Sequence, residues 1–120
     1  MVLKKIWMIV VAAFLLAGCA TGFKSIYDKP DGKVLVVSKK DWEGFQEYRG
    51  SVGSTREGAF AVVVYGGKTE GWTSSWCPAD VCYGGQDSAN RAMKSCRSYG
   101  GECLLFATND TILVNYKVEE

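Results

Sequence analysis

The chain has 120 residues, 14 of them basic and 13 acidic, with five cysteines and no histidine. That length suits one small domain and not two, and the near-balance of charge excludes the basic field that nucleic-acid binding requires. The lack of histidine excludes a Ser-His or Cys-His dyad and a histidine general base.

Lys4 and Lys5 precede an unbroken apolar run over 6–16 and the small pair Ala17 and Gly18, which is the three-part layout of a secretory signal. The run is too short to cross a hydrocarbon core, which takes about 20 apolar residues. Leu16-Ala17-Gly18-Cys19 resembles the lipobox of bacterial lipoprotein precursors at every position. The resemblance implies a diacylglyceryl group on the Cys19 thiol, cleavage before Cys19 and acylation of the new amino group. A thiol is the most nucleophilic side chain available for that transfer. Each buried methylene contributes about 0.8 kcal/mol, and two or more chains give stable anchoring where one does not. Residues 1–18 are thus expected to be a signal peptide, and Cys19 the lipidated first residue held on a membrane. Residue 20 is Ala rather than Asp, which resembles the lipoproteins that enteric bacteria pass to the outer membrane. The expected address is the bacterial cell envelope, on the outer membrane facing the periplasm. Removing the signal leaves 102 residues with 12 basic and 13 acidic side chains, a net charge of about −1.

Residues 19–32 contain Lys29-Pro30-Asp31-Gly32 and no sustained hydrophobic period, so they read as a tether, with a single domain over 33–120. The β-branched run 34–37 predicts a strand. Ser38 is placed to cap a helix over 39–49, with Asp41 in the position of an Asp variant of the capping box and Val37 and Trp42 at staple positions. Trp42, Phe45 and Tyr48 form one aromatic face, and Gly50 supplies a stop. Gly44 inside that helix costs about 1 kcal/mol relative to alanine. Residues 59–65, apolar or aromatic on both faces, predict a central strand. Gly66 and Gly67 can make a tight hairpin turn, with Trp72, Ser74 and Trp76 on one face of the returning strand. From Ala89, the residues Ala92, Met93, Cys96 and Tyr99 fall at helical spacing while Arg91, Lys94 and Arg97 face away. Gly100 and Gly101 end that helix. A strand over 103–107, a turn at Thr108, Asn109 and Asp110, and a last strand over 111–118 complete a second hairpin.

With Cys19 assigned to lipid, Cys77, Cys82, Cys96 and Cys103 remain, and an even count in an exported chain reads as two disulfides. Four cysteines allow three pairings. The sequential one is expected, because Cys96 on the inner face of the helix and Cys103 at the start of the next strand would pin helix to sheet. A zinc site is not expected, since there is no histidine and neither spacing is C-x-x-C. The element order suits an α+β fold: a two-layer sandwich with an antiparallel or mixed sheet of about five strands, two helices on one face, and two disulfides.

Gly58-Ala59-Phe60-Ala61-Val62, a glycine-bearing hairpin, the cysteine pair, the helix ending in Cys96 and Cys103-Leu104-Leu105-Phe106-Ala107 together resemble a group of small exported bacterial domains of unknown function. The resemblance covers about half of the precursor and implies a compact disulfide-bonded fold without implying an activity.

Catalytic chemistry is not expected, nor a cofactor. The sequence neighbours Asp41 with Glu43 and Glu119 with Glu120 do not make an acid and base across a cleft, and they read as solvated. Gly84-Gly85-Gln86-Asp87-Ser88 ahead of a helix is the nearest approach to a phosphate cradle but lacks its strand context. Asn109-Asp110-Thr111 reads as a turn. The aromatic set Trp42, Tyr65, Trp72, Trp76 and Tyr83 serves either core packing or a binding face, since indole and phenol rings pair apolar area with a polar tip. Trp72, Trp76 and Tyr83, bordering the Cys77–Cys82 loop, are the candidates for such a face. The expected function is therefore a non-enzymatic, lipid-anchored interaction module for an envelope protein, the alternative being a binder of cell-wall peptidoglycan that stacks sugar rings on these aromatics. Cys19→Ser is expected to abolish metabolic labelling by fatty acid and to leave uncleaved precursor on a gel. Labelling that persists would remove the anchor.

Overall fold

A computed structural model describes residues 24–52, 57–76 and 85–120. Among these, the chain runs β1 (Leu35–Val37), α1 (Lys39–Val52), β2 (Gly58–Tyr65), β3 (Lys68–Trp76), α2 (Gly85–Arg97), β4 (Glu102–Thr108), β5 (Thr111–Ile112) and β6 (Tyr116–Val118). The strands form one mixed sheet in the order β5-β4-β2-β3-β1-β6. β2 is antiparallel to β3 and β4, while β1 is parallel to β3 and β6. The α+β class and the two helices agree with the sequence. Two details differ: the described sheet has six strands rather than about five, and the helices lie on opposite faces of it, giving three layers rather than two.

The three layers follow from β2, whose side chains alternate between two apolar sets. Phe60, Val62 and Val64 join Phe45, Tyr48 and Val52 of α1 in an aromatic core with Leu35, Val37, Phe106 and Val114. Ala59, Ala61 and Val63 point the other way, against Ala89, Ala92, Met93 and Cys96 of α2. A half-buried sheet has one apolar face; a strand apolar on both demands a cover on each. The aromatic side packs edge to face, with Phe45 at 5.2 Å from both Phe60 and Phe106, a geometry that aligns positive ring edges with negative faces. The alanine-rich side lets α2 approach closely, and there the Thr73 hydroxyl donates to the Ala92 carbonyl at 2.8 Å. Arg91, Lys94 and Arg97 are exposed, as their spacing predicts. Tyr99 departs from its expected place on the buried face: the helix ends at Arg97, and the tyrosine is exposed in the turn that Gly100 completes at φ +82°.

The last expected strand is divided because it serves both edges of the sheet. Ile112 pairs with Ala107 of β4, whereas Tyr116 pairs with Leu35 of β1. In a flat six-stranded sheet the outer strands would stand about 24 Å apart, yet the four steps from Ile112 to Tyr116 span at most about 14 Å. The sheet must therefore curl, and α1 fills its concave side. The crossing segment is bonded to both sides: Leu113 N–H donates to Phe106 O, Leu113 O accepts from Lys29, Asn115 N–H donates to Tyr27 O, and Asn115 O accepts from Leu35. Val114, fully buried, bridges to Asp28. Residues 24–32, expected as tether, are thus built into the domain, with Tyr27 in the core.

Three local features settle how α1 sits. It runs to Val52, past Gly50, because Val52 is buried in the core and holds the last turn against it. Gly44 admits the indole of Trp72, which stacks on Phe60 at 5.1 Å. A β-carbon at position 44 would fall 2.8 Å from Trp72 Cζ2 and nearer still to Nε1 and Cε2. At the far end of the helix the Tyr48 hydroxyl donates to the Asn109 carbonyl at 2.7 Å, and Asn109, at φ +53°, exchanges bonds with the backbone of Gly58.

The Cys96–Cys103 disulfide is formed, with the two Cα atoms 5.9 Å apart, and it joins the end of α2 to the start of β4. Cys77 and Cys82, the other expected pair, lie outside the described residues, as does Cys19.

Helix propensity alone favours Gly44→Ala by about 1 kcal/mol. Displacement of Trp72 should instead make that variant less stable by about 1–3 kcal/mol, measurable as a lower urea midpoint. Burial, and secondarily the Asp110 carboxylate, push the Tyr48 hydroxyl well above the usual phenol range. The folded state thus holds this proton more tightly than the unfolded chain does. The resulting stability is complete below pH about 10 and is lost as pH rises beyond it. Tyr48→Phe should cost about 1 kcal/mol at neutral pH through the lost hydrogen bond and show a shallower alkaline decline in denaturant titrations.

Candidate functional site

A groove of about 740 Å³ lies beside the first half of β3, lined by residues that include Asp41, Tyr65, Thr69, Glu70, Trp72 and Tyr99. Its position follows from strand length. β1 pairs with β3 at a single position, Val36 with Lys68, and the chain then leaves the sheet as α1. Over residues 70–75, β3 is paired only with β2 among the described residues. A bulge marks the same place: Val62 pairs with Trp72 and Val64 with Thr69, so Glu70 and Gly71 together oppose Val63. Gly71 takes φ +152° there. Bulges twist an edge and re-aim its side chains. Since Trp72 packs on the α1 side and Val63 on the α2 side, the groove passes over the strand edge from one face of the sheet to the other.

Asp41 stands at the head of α1 and forms one wall. The Ser38 hydroxyl accepts from the Asp41 N–H at 3.1 Å, and the Ser38 carbonyl accepts from Trp42 at 2.9 Å, so the serine caps the helix as expected. The return half of the capping box does not form. Ser38 N–H donates to Thr69 Oγ1 on β3 instead, at 2.9 Å, and Asp41 Oδ2 is buried without a partner. Asp41 itself is 4% exposed, which corrects the expectation that it is solvated. An aspartate at that helical position is one methylene shorter than the glutamate or glutamine of a full box. The helix N-terminus favours a negative group there without consuming its lone pairs.

The basic residues of the groove are unequal. Lys68 is 2.5 Å from the Glu119 carboxylate, which by hydrogen bond first and by charge second holds the ammonium above the ordinary lysine range. Lys40 is exposed on the opposite wall. An orphaned carboxylate oxygen, the Glu70 carboxylate and aromatic flanks suit a ligand rich in N–H or hydroxyl donors. No cluster of three metal-ligating side chains occurs among the described residues, and none of their helices is long and apolar enough to cross a membrane.

The three aromatics singled out from sequence are not gathered in this groove. Trp72 lines it, half-buried between Phe60 and the Gly44 turn of α1. Trp76, 39% exposed, sits about 13 Å further along the strand, beside Gly58, and Tyr83 lies outside the described residues. Tyr65 belongs to the wider aromatic set noted in the sequence, whereas Thr69, Glu70 and Tyr99 carry no local motif that marks them for a site. Asp41 does carry one, the short acid of an incomplete capping box.

In comparisons with known proteins, no family model, no curated protein and no solved structure matches the chain. The groove is thus read from its own chemistry.

Thr69→Val preserves shape but removes the acceptor for Ser38 N–H. It should cost about 1–3 kcal/mol by leaving that donor unsatisfied at a buried site and should loosen the start of α1, visible as faster amide exchange at residues 38–42.

Proposed function

We propose that this chain is a non-enzymatic, lipid-anchored interaction module of the bacterial envelope. In this reading, an extended segment of an envelope protein is received in the groove beside β3. The observation that carries it is the one-sided pairing of 70–75 among the described residues, with a groove running over that edge. An unpaired strand edge is a template for another strand: main-chain bonds supply affinity, and flanking pockets supply specificity. Asp41 Oδ2 offers an acceptor to a donor on the incoming segment, and Trp72 and Tyr65 offer apolar walls. The anchoring half of the proposal rests on the lipobox-like Leu16-Ala17-Gly18-Cys19.

A photo-crosslinking side chain in place of Glu70, in the lipidated protein within intact envelopes, tests this. A single protein adduct at position 70, lost when Asp41→Asn is added while the thermal midpoint is kept, is the expected outcome. Absence of any adduct, together with retention of the protein on purified peptidoglycan, would transfer the function to glycan binding.

A further inference from the structure

Five large apolar side chains are exposed among the described residues, and four of them gather at one end of the sheet. Tyr65 (52% exposed) ends β2, immediately before the Gly66-Gly67 turn. Tyr99 (66%) follows the end of α2, and the adjacent Gly101 lies against Tyr65, where a β-carbon would come 2.8 Å from its hydroxyl. Val34 (55%) precedes β1, whose Val36 is level with the first residue of β3. Ile26 (59%) borders a hollow shared with Val64, Glu102 and Leu104, at the same end of β2 and β4. Ile26 is held there by the bond from Lys33 N–H to its carbonyl at 2.8 Å. The fifth, Trp76, is at the opposite end, paired with the first residue of β2. Lone exposed apolar residues are ordinary, whereas a cluster marks a contact surface.

The chain enters the described domain at this same end. Lys24 borders the hollow beside Ile26 and is five residues from Cys19. Five residues reach at most about 18 Å. A lipid on Cys19 therefore holds this end, and not the Trp76 end, within one short span of the headgroups.

We propose that Ile26, Val34, Tyr65 and Tyr99 form a membrane-contact face, on which the domain rests against the bilayer to which Cys19 is anchored; this rests on the lipidation reading above. The occupant is a lipid surface because the tether is short and ends on the patch. Its chemistry agrees: tyrosine partitions to the interface with its ring in the acyl boundary and its hydroxyl among headgroups, and exposed Lys24 and Lys33 attract anionic lipid. Glu102, exposed at the same end, opposes that attraction, so contact is led by apolar area. Each contact is weak by itself, but the tether makes docking intramolecular, which raises the effective concentration of the surface. Tyr65 and Tyr99 also line the β3 groove. Docking would therefore present the groove at headgroup level, to a partner segment that itself emerges from the membrane.

The lipidated protein carrying Ile26→Trp, reconstituted in vesicles of phosphatidylethanolamine and phosphatidylglycerol with or without brominated acyl chains, provides the test. Flotation with the vesicles reports the anchor, and the emission of the added indole reports docking. The expected result is flotation with a blue-shifted reporter, read as the difference from the wild type's Trp42, Trp72 and Trp76 emission, that loses most of that added emission to brominated lipid, while the wild type, with Trp42 and Trp72 packed on the core and Trp76 at the far end, is quenched much less. Ile26→Glu combined with Tyr99→Glu should still float, and its residues 24–34 should exchange amide hydrogen faster than the wild type's on the same vesicles. Flotation with an unquenched reporter overturns the docking face and leaves the anchor standing. An unquenched reporter that shifts to the blue only as protein concentration rises assigns the face to a second copy and overturns it equally. Failure to float removes the anchor and this proposal with it.

Discussion

Residues 113–115 have to join opposite edges of one sheet, and the rest of the domain is arranged around that requirement. A flat sheet cannot meet it, so the strands curl. The hollow this creates has room for one helix on its concave side, and α1 fills it with Phe45, Tyr48 and Val52. Curling also explains the shortness of β1, which pairs with β6 over three residues and with β3 at one. Were β1 longer, the edge of β3 would be covered and the groove closed. The candidate site is thus a by-product of the topology: the strand that shields β3 turns into a helix before its work along that edge is complete.

Periodicity made much of this legible. β2, apolar at every position, announces itself as central and doubly covered, and the spacing of Ala89, Ala92, Met93 and Cys96 marks the buried face of α2 correctly. The Cys96–Cys103 bridge follows from that face meeting the next strand. Pattern could not show what depends on distant partners. Nothing local says that residues 111–118 divide between two edges, because Ile112, Val114 and Tyr116 alternate as they would in one unbroken strand. Nor does local sequence place Tyr27 in the core, since its neighbours Lys29, Pro30 and Gly32 form a turn whatever they pack against.

Gly44 and Asp41 show how local rules fail informatively. Each breaks a helix preference, one by lacking a side chain and the other by being too short to complete its box. In both cases β3 explains the break. Gly44 makes room for Trp72, and Asp41 forgoes Ser38 N–H because Thr69 has taken it. Deviations from local consistency tend to gather where a chain meets constraints beyond its own helix, and here they converge on the wall of one groove.

The two faces of the sheet are built from unlike material, and that asymmetry reaches beyond packing. On the α1 side, interlocked rings tie every part of the curl together, so that loosening one ring disturbs several others. On the α2 side, alanines and a single methionine let the helix lie close against β2, β3 and β4, and a covalent link secures the helix end to β4. Partial opening of a native protein follows its least consolidated unit. In this domain α2 is not such a unit: it meets β2, β3 and β4 and is tied to β4 through Cys96, so the two faces are consolidated by different means, mutual ring contacts on one and close backbone approach with a covalent link on the other.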